Sequence, residues 1–86
     1  MKIEYSEPAK KELSKLDRPM QLKIKNYLND VATLEDPRSR GKCLVGNLGG
    51  LWRYRIGDYR IICEILNDKI LITVLHIAHR KEVYKK

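Results

Sequence analysis

No stretch of this 86-residue chain approaches the roughly 18 consecutive apolar residues that a membrane-spanning helix requires. The opening Met1-Lys2-Ile3-Glu4-Tyr5 lacks the apolar core of a secretory signal, so the expected compartment is the cytoplasm. Cysteine is scarce. Cys43 and Cys63 show neither a CxxC spacing nor a Cys/His pattern, which argues against a disulfide framework or a zinc site and predicts buried, reduced thiols. Glycines 41, 46, 49 and 50 cluster, but no Gly-Lys-Ser/Thr follows and no strand feeds a helix there. A phosphate-cradling loop is therefore excluded. Internal repeats and low-complexity segments are absent too. No cofactor or metal is expected.

What is present describes a single domain over residues 1–86, with room for one hydrophobic core. Hydrophobic residues make up 43% and charged residues 34%, too apolar for a disordered tail and too charged for a membrane segment. Lysine and arginine number 18 against 11 acids, a net charge of +7, enough to attract nucleic acid or an acidic protein. The excess is not confined to one arm. Residues 1–50 hold 10 bases and 7 acids, and residues 51–86 hold 8 and 4, so the faces that the bases occupy decide their use.

Lys2 to Tyr5 reads as a first strand. Ser6 then caps a helix whose first turn accepts Pro8, with Ala9, Leu13 and Leu16 on one apolar stripe. Asp17-Arg18-Pro19 ends that helix and caps a second, carried by Met20, Ile24, Tyr27, Leu28, Val31 and Leu34. The two form an antiparallel hairpin. Glu35-Asp36-Pro37 closes it, and Arg38 to Gly50 reads as loop with a short strand at Leu44-Val45. From Leu51 the period changes to two. Strands over 51–56, 59–66 and 69–78 are separated by Gly57-Asp58 and Asn67-Asp68, which suit type II′ and I′ turns and predict a three-stranded antiparallel meander. The last residues, His79 to Lys86, form a basic tail. The expected class is α+β: an N-terminal strand, a two-helix hairpin and an antiparallel sheet.

A two-residue loop at Gly57-Asp58 pairs Arg55 with Arg60 and Trp52 with Cys63. A two-residue loop at Asn67-Asp68 pairs Ile65 with Ile70, Cys63 with Ile72, Ile61 with Val74 and Tyr59 with His76. One face then collects Trp52, Tyr54, Ile56, Tyr59, Ile61, Cys63, Ile65, Ile70, Ile72 and Val74 against the helices, with His76 at its edge as a structural histidine. The other collects Arg53, Arg55, Arg60, Ile62, Glu64, Leu71, Thr73, Leu75 and Ile77. Three guanidinium groups within about 5 to 8 Å of one another repel, and the apolar residues beside them mark a partner surface. Arg80, Lys81 and Tyr84 return to the same end of the sheet. A basic pocket rimmed by a tyrosine suits RNA, its phosphates gripped and a base stacked. RNA can be cut there without a metal: its 2′-OH attacks the adjacent phosphate, and the protein orients it and stabilises the developing charge.

Leu51-Trp52-Arg53-Tyr54-Arg55-Ile56-Gly57-Asp58-Tyr59-Arg60-Ile61-Ile62 and His76-Ile77-Ala78-His79-Arg80-Lys81-Glu82-Val83-Tyr84 closely resemble the RelE branch of the RelE/ParE toxin superfamily, over nearly the whole chain. The resemblance implies a bacterial or archaeal toxin that cleaves messenger RNA in the ribosomal A site and is held inactive by a cognate antitoxin protein. By similarity, Arg53 and Arg55 lie on the catalytic strand, Arg60 stabilises the scissile phosphate, Arg80 supports the leaving group and Tyr84 stacks on or orients the base. The first two positions can be lysine in that family and are both arginine here. Guanidinium does not give up its proton, which assigns Arg53 and Arg55 to phosphate binding. The general base is left open, with His79 as one titratable neighbour. A ParE-type inhibitor of DNA gyrase and a general nucleic-acid-binding domain are the other readings. The side chains of Arg60 and Tyr84 are expected to face solvent, and an acidic, amphipathic antitoxin segment is expected to dock on the apolar surface.

Overall fold

The Ser6 hydroxyl accepts a hydrogen bond from the Ala9 N–H at 3.2 Å, and the Asp17 carboxylate accepts one from the Met20 N–H at 3.1 Å. These caps satisfy otherwise orphaned donors and set the starts of α1 (Glu7–Ser14) and α2 (Arg18–Thr33), each with proline in its first turn. The structure, a computed structural model, describes residues 1–44 and 51–79. The strands are β1 (Lys2–Tyr5), β2 (Lys42–Cys43), β3 (Leu51–Ile56), β4 (Tyr59–Leu66) and β5 (Leu71–His79). They form one sheet in the order β1-β5-β4-β3-β2. The meander β3-β4-β5 is antiparallel, as expected, and β1 adds to it in parallel beside β5.

Both helices lie on one face of the sheet. Ala9 and Leu13 of α1 and Ile24, Leu28 and Val31 of α2 share a buried cluster with Tyr54, Ile56, Ile61, Cys63, Ile65, Ile72, Val74 and Ile77. Burial of that apolar area is the main stabilising term for so short a chain. The first hairpin has the expected register, with Arg55 opposite Arg60 and Trp52 opposite Cys63, and Gly57 takes the positive φ of +58° that its turn needs.

The second hairpin departs from expectation. Asn67–Lys69 forms a 3₁₀ turn, and Leu66 pairs with Leu71, so the connection holds four residues and not two. Ile65 therefore meets Ile72, and Cys63 meets Val74. Ile70, expected in the core, is 62% exposed with φ of +51°. A bulge then adds Leu75 on β5, after which Ile62 pairs with His76, Ile61 with Ile77 and Tyr59 with His79. One extra residue reverses the faces beyond it. Ile77 is buried and His76 exposed, the opposite of the alternating pattern.

β1 stops opposite Val74, and α1 takes over the edge of β5. The Ser6 N–H donates to the Val74 carbonyl at 2.9 Å, the Ser6 hydroxyl donates to the Leu75 carbonyl at 2.8 Å, and the Ile77 N–H donates to Glu12 Oε1 at 2.8 Å. The same Glu12 oxygen lies 3.6 Å from His76 Nδ1. The bulge is thus held by polar groups from the cap of α1 and from its second turn.

Of the two thiols, Cys63 is buried as expected and Cys43 is exposed. Cys43 lies on a two-residue edge strand that leaves its side chain uncovered. The observed β2 starts two residues before the strand expected at Leu44-Val45, and Leu44 itself is in no strand; Val45 lies outside the described residues, as do Gly46, Gly49, Gly50 and the basic tail from Arg80 onward.

Candidate nucleic-acid interface

β2 pairs with Trp52 and Arg53 of β3, and two aromatic side chains hold the segment that precedes it. The buried Tyr54 hydroxyl donates to the Pro37 carbonyl at 2.7 Å, and Trp52 Nε1 donates to the Arg40 carbonyl at 2.6 Å. Between these anchors and β2 stands Gly41, with φ of +79°. A Cβ at this position would collide with the Arg53 carbonyl, approach Trp52 Nε1 to 2.7 Å and approach the Tyr54 ring to 2.9 Å. Only glycine lets the chain pass this close to β3.

The passage of residues 40–42 along β3 forms one wall of a cleft of about 240 Å³, lined by Tyr27, Gly41, Lys42, Arg53 and Arg55. Lys42 is the cross-strand partner of Arg53, so their side chains leave the sheet on the same face. Tyr27 reaches the cleft from α2, its ring edge-on to Tyr54 at 6.0 Å, and the Arg40 guanidinium lies 5.6 Å from its centroid. No carboxylate lines this cleft among the described residues. Three cations and a phenol ring suit an anionic, ring-bearing ligand such as a nucleotide.

The expected site residues separate. Arg53 and Arg55 line the cleft, Arg53 half-buried and Arg55 exposed. Arg60 is opposite Arg55 but is only 5% exposed, against the expectation that it faces solvent. It sits on a strand flanked by both β3 and β5, and its burial extends to the guanidinium Nε. Arg80 and Tyr84 lie outside the described residues. His79 does not line the arginine cleft. It stacks edge-on against Tyr59 at 5.3 Å and, with Glu12, Lys15, Leu16 and Ile77, lines a separate pocket of about 360 Å³ between α1 and the sheet. The expected apolar patch beside the arginines is also smaller. Ile77 has moved into the core, and Ile62, Leu71 and Leu75 are half-buried.

Lys42 and Tyr27 escaped sequence reasoning because one lies in a glycine-rich loop and the other on a helix stripe that reads as core. The sign was available in Gly41-Lys42: a glycine just before a basic residue, a fixed distance ahead of the basic strand.

The chain is similar to several known proteins. Toxin RelE of Mycobacterium tuberculosis is 36% identical over 52 residues, covering 60% of this chain and 54% of that protein, so the match spans about half of the relative's length. Toxin RelG of the same organism is 25% identical over 85 residues, covering 98% of this chain and 95% of that one. Among solved structures, the toxin–antitoxin complex RelBE2 from M. tuberculosis has a chain matching at a TM-score of 0.81 and 24% identity, over 92% of this chain and 90% of that chain. The isolated RelE toxin of Escherichia coli matches at 0.75 and 22% identity, over 96% and 89%; at these identities the likeness establishes the fold. The family model described as the ParE toxin of the type II toxin–antitoxin system parDE matches residues 3–84. Nearly the whole chain thus carries one family's pattern on that family's fold, and it belongs to the ParE toxin family, as a type II toxin of the RelE/ParE superfamily.

Proposed function

We propose that the protein is an endoribonuclease that cleaves messenger RNA in the ribosomal A site by attack of a ribose 2′-OH on the adjacent phosphate. The observation that carries this reading is the cleft in which Arg53, Arg55 and Lys42 converge beside Tyr27. Like charges held together with no lining carboxylate among the described residues are relieved by an incoming polyanion. Arg53 and Arg55 bind the scissile phosphate and stabilise its extra charge as the 2′-oxygen adds. The buried Arg60, opposite Arg55, contributes positive field from the strand behind. Arg80 and Tyr84 keep the roles that the family resemblance implies, leaving-group support and base stacking. Release of the toxin is governed by an acidic, amphipathic antitoxin segment drawn by the net charge of +7.

Primer extension on messenger from a translating extract tests the reading. The wild-type chain is expected to cut inside codons of translated regions. Arg55→Ala, at an exposed position, is expected to reduce cutting about 10²- to 10³-fold, the loss typical of one charge-stabilising donor, with unchanged circular dichroism. The match to the ParE family model favours a second reading, a non-nuclease inhibitor of DNA gyrase. Intact messenger together with blocked gyrase supercoiling would select it.

A further inference from the structure

The cleft contains two guanidinium groups that cannot act as bases, and His79 faces a different pocket. Resting on the nuclease reading above, we propose that Lys42 is the general base of the cleavage, its amine taking the proton from the ribose 2′-OH. Three observations converge on it. Lys42 is paired across the sheet with Arg53, which places its amine on the face where a phosphate held by Arg53 and Arg55 would lie. Its position is fixed from behind, because Tyr54, Trp52 and the Cβ-free Gly41 seat residues 37–42 on β3. Among the described residues, Lys42 is also the one cation lining the cleft that can exchange a proton, since arginine stays charged.

The groups facing it are Arg53 and Arg55 from β3, Tyr27 from α2 and the Arg40 guanidinium beside that ring. In the step, neutral Lys42 removes the 2′-OH proton and the 2′-oxygen forms a bond to phosphorus. The bond from phosphorus to the 5′-oxygen then breaks, and that oxygen takes a proton from water. The products are a 2′,3′-cyclic phosphate and a 5′-hydroxyl end, and Lys42 returns its proton to solvent.

The test is single-turnover cleavage on ribosomes programmed with a synthetic messenger, followed across pH for the wild type, Lys42→Arg and Lys42→Ala. The wild-type rate is expected to climb with pH. Lys42→Arg keeps the charge and the messenger binding, but its rate should fall by at least about 10²-fold and lose that climb. Lys42→Ala should be partly restored by added ethylamine, a recovery that a merely structural lysine would not show. Wild-type rates in Lys42→Arg overturn the proposal. So does a slower rate in both variants with the wild-type pH profile intact, which would leave Lys42 as a phosphate contact alone. A wild-type chain that cuts no messenger overturns the nuclease reading itself and the base with it, whereas a wild-type chain that cuts while Lys42→Arg cuts equally overturns only the base.

Discussion

Gly41 shows how one residue without a side chain can shape a site. Its φ of +79° lies where an L-residue costs about 1–2 kcal/mol, and a methyl group there would collide with the β3 backbone. Gly41→Ala is expected to lower the melting temperature, by roughly 4–8 °C for each kcal/mol lost in a chain of this size. It should also push Lys42 away from Arg53 and reduce messenger cleavage. A thermal melt beside a cleavage assay checks both, and an unchanged melt with full activity would refute the packing argument. Arg60 carries the opposite lesson. Its alternating position predicts an exposed face, yet flanking strands cover it. Arg60→Ala therefore perturbs stability as well as chemistry, and the exposed Arg55 is the cleaner probe.

At the scale of elements, the junction of α1 with β5 decides which side chains reach the core. Leu75 bulges between residues paired with Ile62 and Cys63, and the backbone there is satisfied by Ser6 and Glu12 from the helix. Glu12→Ala would leave the Ile77 N–H, in a buried residue, without this acceptor, at a cost of about 1–3 kcal/mol. Glu12→Gln retains a carbonyl acceptor and should lose less. Urea denaturation of the two variants measures the difference, and equal midpoints would show that the contact contributes nothing. The helices themselves were legible from residue type: Ser6 and Asp17 as caps, Pro8 and Pro19 in first turns, Leu13, Ile24 and Leu28 on the buried stripe. The bulge left no such mark, because Val74, Leu75, His76 and Ile77 read as plain alternation. Only the helix packed on that edge supplies the reason for an extra residue.

For the molecule as a whole, the core holds ionisable groups that are neutral when folded. Burial pushes the Cys63 thiol from 9.0 up to about 12, and burial, reinforced by a charge on Cys63, raises the phenols of Tyr5 and Tyr54. A folded pKa raised above the unfolded one means that folding favours the protonated thiol. Its contribution to stability is complete below about pH 9 and is lost as pH rises toward about 12. The urea midpoint should therefore fall steeply between those values, and Cys63→Ala should flatten part of that fall while lowering the midpoint at neutral pH. An identical alkaline slope in the variant would show that Cys63 does not titrate with unfolding.

The order of elements, the helix caps, the register of the first hairpin and the presence of clustered arginines were determined by the sequence itself, because each depends on neighbours a few residues away. Caps, proline placement and a Gly57-Asp58 turn act locally, and so does the pairing of Arg55 with Arg60 that follows from it. Tertiary structure alone decided the rest. Ile77 entered the core and His76 left it, Arg60 was covered while Arg55 stayed open, and Lys42 and Tyr27 met across the edge of β3. Those outcomes depend on strands and helices far apart in the chain competing for the same space, and the alternation of a single strand carries no record of that competition.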